Sequence, residues 1–197
     1  MNRTDPMRQP YPKRLFRSKA DWAEWLDENH GKSSGIWLRL AKKDSGLTSV
    51  SYQEALEVAL CFGWIDGQKK PENDQTWLQR FVPRSPKSMW STINREKAEA
   101  LIASAQMKPA GLAAIDNAKQ NGRWDAAYDS QSRVKVPQDF EAALDASPHA
   151  KAFFATLESR NRYAVLWRLQ TAKRPETRAR KIREFIAMLE KKQKLHP

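Results

Sequence analysis

A single cysteine, Cys61, occurs in the 197 residues of this chain, so no intrachain disulfide framework exists. The three histidines, His30, His149 and His196, stand far apart. Without a Cys/His or clustered-carboxylate spacing, the sequence predicts no zinc site and no cofactor. Walker, G-x-G-x-x-G and G-x-S-x-G motifs are missing, so the common nucleotide-binding and hydrolase templates do not apply. No apolar run approaches the ~20 residues of a membrane span. The opening stretch MNRTDPMRQPYPKRLFRS lacks the ~7–15-residue apolar core of a signal peptide. These absences lead to the expectation of a cytoplasmic protein that does not insert into a membrane. No repeat and no low-complexity tract is evident.

What is present is charge. The chain is 29% charged and 40% hydrophobic, with a mean hydropathy of −0.78, a composition for a wet surface around one substantial core or two small ones. The net charge of +12 is concentrated at the ends: residues 1–20 hold six Lys/Arg against one acidic residue, and 159–197 hold twelve against three. An anionic partner and a solvated helix face both account for such ends.

Local patterns place the elements. Ser18-Lys19-Ala20-Asp21 has the capping-box spacing that opens a helix; Trp22, Trp25 and Leu26 follow on one face, and Gly31 is a natural stop. Ser51 with Glu54 opens a second helix, YQEALEVALCF, closed by Gly63. The alternation of residues 36–42, 64–68 and 76–82 predicts strands of a small antiparallel sheet with helices on one face, and 67–75 reads as a polar loop. Helices are expected at 91–105 and 109–121. DSQSRVKVP, residues 129–137, lacks apolar periodicity and reads as a linker. Beyond it Pro137, Pro148 and Pro175 sit at or just before helical patterns, and Ile182, Phe185, Ile186 and Leu189 form an apolar stripe on the last helix.

The segments GIWLRLAKK, SVSYQEALEVALCFGWIDGQ, QRFVPRSPKSMWSTIN, MKPAGLAAI, GRWD and TAKRPETRARKI form an ordered series. Together they resemble the bacteriocin-protection, YdeI/OmpD-associated family, from about Trp22 to Leu189. The resemblance implies protection against bacteriocins or cationic antimicrobial stress and association with an outer-membrane porin, and it brings no established reaction. It also implies that the last residues are that family's C-terminal helical module. Val82 stands where relatives tend to have Thr, which removes one hydroxyl.

Two sets of residues are candidates for function. The first comprises Trp64, Asp66, Gly67, Gln68, Arg80, Arg84, Ser88, Trp90 and Asn94. If the sheet forms as expected, Asp66 and Arg80 lie on neighbouring segments and can pair. A helix start near Arg84 would offer amides to an anion, and Trp64 and Trp90 would supply an apolar wall. A purely architectural network fits the same residues. The second set is Lys173, Arg174, Arg178, Arg180, Lys181 and Arg183, where guanidinium groups suit phosphate. A charged outer face of a bundle helix fits equally. Cys61, among apolar neighbours, reads as a core residue rather than a nucleophile.

The expected fold is therefore α+β: a small antiparallel sheet with packed helices over 15–128, followed by a basic helical module over 137–197. The expected function is that of a non-enzymatic protein binding a small anionic or polar ligand, or a protein partner. Two alternatives stand beside it: sequence-nonspecific nucleic-acid binding through the basic ends, and an enzyme with Asp66 as general acid or base.

Overall fold

The computed structural model describes residues 11–197. Its chain divides into two compact units, one of residues 11–88 with 94–125, the other of 89–93 with 126–197. The expected α+β class is found, with a sheet in the first unit and an all-helical second unit.

The sheet has four strands, β1 (Lys13–Leu15), β2 (Ile36–Ala41), β3 (Trp64–Pro71) and β4 (Thr76–Pro83), in the order β1-β2-β4-β3. It is mixed rather than antiparallel throughout. β1 pairs in parallel with β2, whereas β2/β4 and β3/β4 are antiparallel. The parallel strand follows from the crossover helix α1 (Lys19–Asn29), which returns the chain in the same direction. With three largely exposed residues, Lys-Arg-Leu, β1 has no alternation to reveal it in sequence. β3 also runs further than 64–68, because Gly67 to Pro71 continue it past a bulge between Asp66 and Lys69. The expected polar loop 67–75 shrinks to 72–75. This strand lies at a sheet edge, where lysines, a proline and a bulge are the usual means of discouraging pairing with another chain. The buried Gln79 repairs the bulge by donating from Nε2 to the Gly67 carbonyl at 2.9 Å.

Strand pairing fixes which residues share a face, since side chains alternate along each strand. Phe81 and Gln79 lie opposite Ile36 and Leu38, while Arg80 and Leu78 lie opposite Trp37 and Arg39. The Phe81 face carries the core. Trp22 of α1 packs there on Phe81 and edge-on to Trp64, and donates its indole N–H to the Ala55 carbonyl at 3.1 Å. That carbonyl belongs to α2 (Tyr52–Cys61), whose capping box forms in full: the Ser51 hydroxyl accepts from the Glu54 amide, and the Glu54 carboxylate accepts from the Ser51 amide. The box on α1 forms by half. Ser18 accepts from the Asp21 amide, but Asp21 accepts from Arg17, not Ser18. Gly63, at φ +71°, ends α2 and lies against α4 (Pro109–Gln120), where a Cβ would meet the Ala110 carbonyl oxygen at 2.7 Å. α3 (Thr92–Ala103) precedes α4.

In the second unit, α5 (Gln138–Asp145), α6 (Pro148–Ala155), α7 (Ser159–Gln170) and α8 (Pro175–Glu190) surround a core of Phe140, Leu144, Phe154, Leu166, Leu169 and Phe185, among others. Pro148 and Pro175 occupy first helical positions. Phe185 and Leu189 are buried, and Ile182 and Ile186 pack at the edge, so the apolar stripe faces this core as its spacing requires. The stretch 129–137 is not a free tether. Asp129 exchanges two hydrogen bonds with the Gln170 amide and its carbonyl accepts from the Tyr163 hydroxyl, while Val134 and Val136 pack on the core. Its order comes from side-chain tethers made at long range, which leave no periodic signal in the sequence.

Candidate functional site

The residues singled out around 64–94 are dispersed by the fold. Asp66 lies opposite Phe81 in the ladder, so Arg80, the preceding residue on β4, points to the other face of the sheet. The expected Asp66–Arg80 pair is therefore not formed. Asp66 instead accepts a hydrogen bond from the Tyr52 hydroxyl of α2 at 2.8 Å. Arg80 lies over Gly67, where a Cβ would come within 3.0 Å of its Nε, and its guanidinium carbon is 6.0 Å from the centre of the Trp37 ring. Gly67 is thus the residue type that lets Arg80 lie flat on the edge strand. Gln68 is exposed.

The expected tryptophan wall is not available to a ligand in that form. Trp64 is 1% exposed, edge-on to Trp22 and Trp25, with its indole N–H on the His30 carbonyl at 3.2 Å. Trp90 is 2% exposed and belongs to the second unit, where its carbonyl accepts from the Tyr128 amide. Burial of a large ring outweighs exposure of a polar N–H that finds a carbonyl inside. The Arg84 amide donates to Gly63, and the Ser88 hydroxyl closes a turn with Ser85. Asn94 stands in the first turn of α3.

A recess forms elsewhere on the first unit. Ala41, Lys42, Lys43, Lys69, Pro71 and Trp77 line a space of about 580 Å³ at the ends of β2, β3 and β4, within the ~300–1,000 Å³ range of ligand clefts. The Lys69 ammonium sits 4.3 Å over the Trp77 ring, an arrangement that fixes a flexible cation at the wall of the recess. Trp77 in turn contacts the Tyr52 ring at 6.2 Å, so the Tyr52–Asp66 hydrogen bond supports the wall from behind. Lys42, Lys43 and Lys69 have no carboxylate partner among the described residues. The recess thus has one cation seated on its aromatic wall and two further lysines on its lining. Sequence reasoning stopped at Asp66 and Gln68 and missed this group. Lys42-Lys43 was visible as a basic pair after a strand, but its meeting with Lys69 and Trp77 requires the register of three strands.

On the opposite sheet face Glu72 gathers cations, accepting from Arg39 at 3.1 Å and lying 3.4 Å from Lys13. Burial alone would push this carboxyl up; hydrogen bonds from Thr76 and Arg39, with the Arg39 charge, hold it below the usual carboxylate range.

The second candidate set is divided by its local partners. Arg178 makes a two-pronged contact with Asp139, at 2.6 and 2.8 Å, and also donates to the Leu169 carbonyl at 2.6 Å, an architectural tie of α8 to α5 and α7. The Arg178 hydrogen bonds hold the Asp139 carboxyl below its usual value. Arg180 pairs with Glu184 one turn along. Lys173, Arg174, Lys181 and Arg183 form no ion pair among the described residues, and Lys173 and Arg174 are exposed in and beside the α7–α8 turn. No group of three potential metal-ligating side chains occurs among the described residues, and no helix there is long and apolar enough to cross a membrane.

Comparison with known families divides the chain in the same order as the fold. A model described as a Domain of unknown function (DUF8412) matches residues 14–114, and one described as Bacteriocin-protection, YdeI or OmpD-Associated matches 133–192. Most of the motifs quoted above fall in the first match, and only TAKRPETRARKI falls in the second. No curated protein and no solved structure matches the chain. The chain belongs to the DUF8412 domain family, whose model covers residues 14–114, and its C-terminal helices are similar over 133–192 to the bacteriocin-protection, YdeI/OmpD-associated domain.

Proposed function

We propose that this protein acts, without catalysing a reaction, in protection against bacteriocins or related antimicrobial stress, and that its N-terminal unit binds a small, multiply anionic ligand. The observation that carries this reading is the recess lined by Lys42, Lys43 and Lys69 beside Trp77, three lysines without carboxylate partners among the described residues. The YdeI/OmpD-associated helices supply the connection to bacteriocin protection. The recess takes the place of the expected Asp66–Arg80 pair as the ligand site, and Asp66 becomes a support for the recess wall through Tyr52.

Calorimetric titration of the full chain with inorganic pyrophosphate, tripolyphosphate and a nucleoside triphosphate tests the proposal. Saturable binding is expected at ~50 mM salt and weaker binding at ~200 mM, where the shorter Debye length screens exposed ammonium groups. Replacing Lys42, Lys43 and Lys69 together by Gln should lower the affinity about tenfold or more, equivalent to at least ~1.4 kcal/mol. Equal affinity in the folded triple variant would sink the reading. Duplex and single-stranded oligonucleotides in the same titration test the alternative partner class. Binding that survives the triple variant but falls when Lys173, Arg174, Lys181 and Arg183 are neutralised would reassign the function to the basic end.

A further inference from the structure

A second cleft, of about 610 Å³, opens on the first unit between α1, α2 and the segment 105–108. Its lining is mostly apolar: Ala23 of α1, Val58, Cys61 and Phe62 at the end of α2, and Met107. The two cations on its lining come from opposite sides, Lys19 at the start of α1 and Lys108 just before α4. The segment 105–108 is held against α2 by a turn at Ala105, whose φ is +54°, and by a hydrogen bond from the Lys108 amide to the Cys61 carbonyl at 3.1 Å. Gly111, where a Cβ would come against that same carbonyl, keeps α4 tight on the end of α2. The walls of the cleft are therefore fixed by backbone contacts.

We propose that this cleft binds an amphipathic monoanion, a carboxylate with an unbranched apolar body, separately from the lysine recess at Trp77. The apolar lining removes the hydrocarbon from water, and Lys19 and Lys108, the two cations on that lining, are the groups that would receive a carboxylate head. Lys19 shares Glu57 with Lys97, each at 3.4 Å, so it is positioned on this side of α2 without being consumed by a private partner. Lys108 has no carboxylate partner among the described residues. Charge complementarity decides between occupants: an apolar amine meets two like charges there, and a neutral alcohol gains nothing from them. Burial pushes the Cys61 thiol up, Lys19 and Lys108 pull it back, and Glu57, which Lys19 shares with Lys97, opposes them weakly.

Cys61 is the only thiol in the chain and provides the readout. The full chain is treated with N-ethylmaleimide alone or with decanoate, decylamine or decanol, each below its aggregation concentration. The expected result is saturable protection of Cys61 by decanoate, at least tenfold in rate, with little protection by the amine or the alcohol. Lys108→Gln, and Lys19→Gln with Lys108→Gln, should lose that protection, each variant judged against its own rate without ligand, which falls because the thiolate loses a neighbouring cation. Calorimetric titration with decanoate is the second measurement and decides the matter if the buried thiol reacts too slowly. Failure of decanoate to bind in both assays, or equal protection by all three compounds, overturns the proposal. Retained decanoate binding in the Lys42/Lys43/Lys69 variant separates this site from the recess.

Discussion

At the scale of single residues, the separation of Asp66 from Arg80 changes what each substitution should do. A buried ion pair that loses one member costs ~3–5 kcal/mol because a charge is stranded. Asp66 is half-buried and bonded to the Tyr52 hydroxyl, and removing such a neutral-donor hydrogen bond costs ~1 kcal/mol. Tyr52→Phe and Asp66→Ala should therefore each lower stability by about 1 kcal/mol, and the double variant by little more than either, since the two share one interaction. Denaturant titration of the four proteins checks this. A loss near 4 kcal/mol in Asp66→Ala alone would show that a buried charge had been left without its partner. Because Tyr52 backs Trp77, Tyr52→Phe should also weaken anion binding at the recess less than any lysine substitution there.

At the scale of elements, charge ties α8 of the helical unit to α5. Asp139 in the first turn of α5 accepts both prongs of Arg178 from α8. Its folded pKa is depressed, chiefly by those hydrogen bonds. A depressed carboxylate stabilises the fold above its unfolded value, about pH 3.9, and that contribution is lost as pH falls through the lower folded value. Asp139 is 45% exposed in its side chain, so solvent screening reduces the pair to about 1 kcal/mol. Asp139→Asn should accordingly cost about 1 kcal/mol at pH 7, and the cost should shrink steadily in acid as wild type loses the same interaction on falling through the depressed folded value. Urea unfolding of both proteins from pH 7 downward through the acid range measures it. A constant difference across the range would show that packing, and not charge, makes the tie.

At the scale of the whole molecule, stability rests on buried area. Phe140, at 0% exposure, sits edge-to-face with Phe154 in the helical core, whereas Leu112 on α4 is 41% exposed. Phe140→Ala should destabilise by ~3–5 kcal/mol through lost transfer energy and the cavity left behind, and Leu112→Ala by no more than ~0.5 kcal/mol. Equilibrium unfolding would contradict this assignment of the core if the two losses were similar. The sequence by itself determined the elements with local causes: both N-caps, the helix-starting prolines, the stop at Gly63, the strand alternation at β2 and β4, and the apolar stripe of α8. Each follows from residues within one or two turns of each other, where period and capping chemistry suffice. It also carried the family motifs, which are local strings. Only the tertiary structure decided what depends on register and direction: the parallel edge strand β1, the bulge that Gln79 repairs, and the opposite facing of Asp66 and Arg80. The recess has the same origin. Lys69 and Trp77 come from β3 and β4 and Lys42 and Lys43 from the turn just after β2, and a slip of one residue in the β3/β4 pairing would send a side chain to the other face.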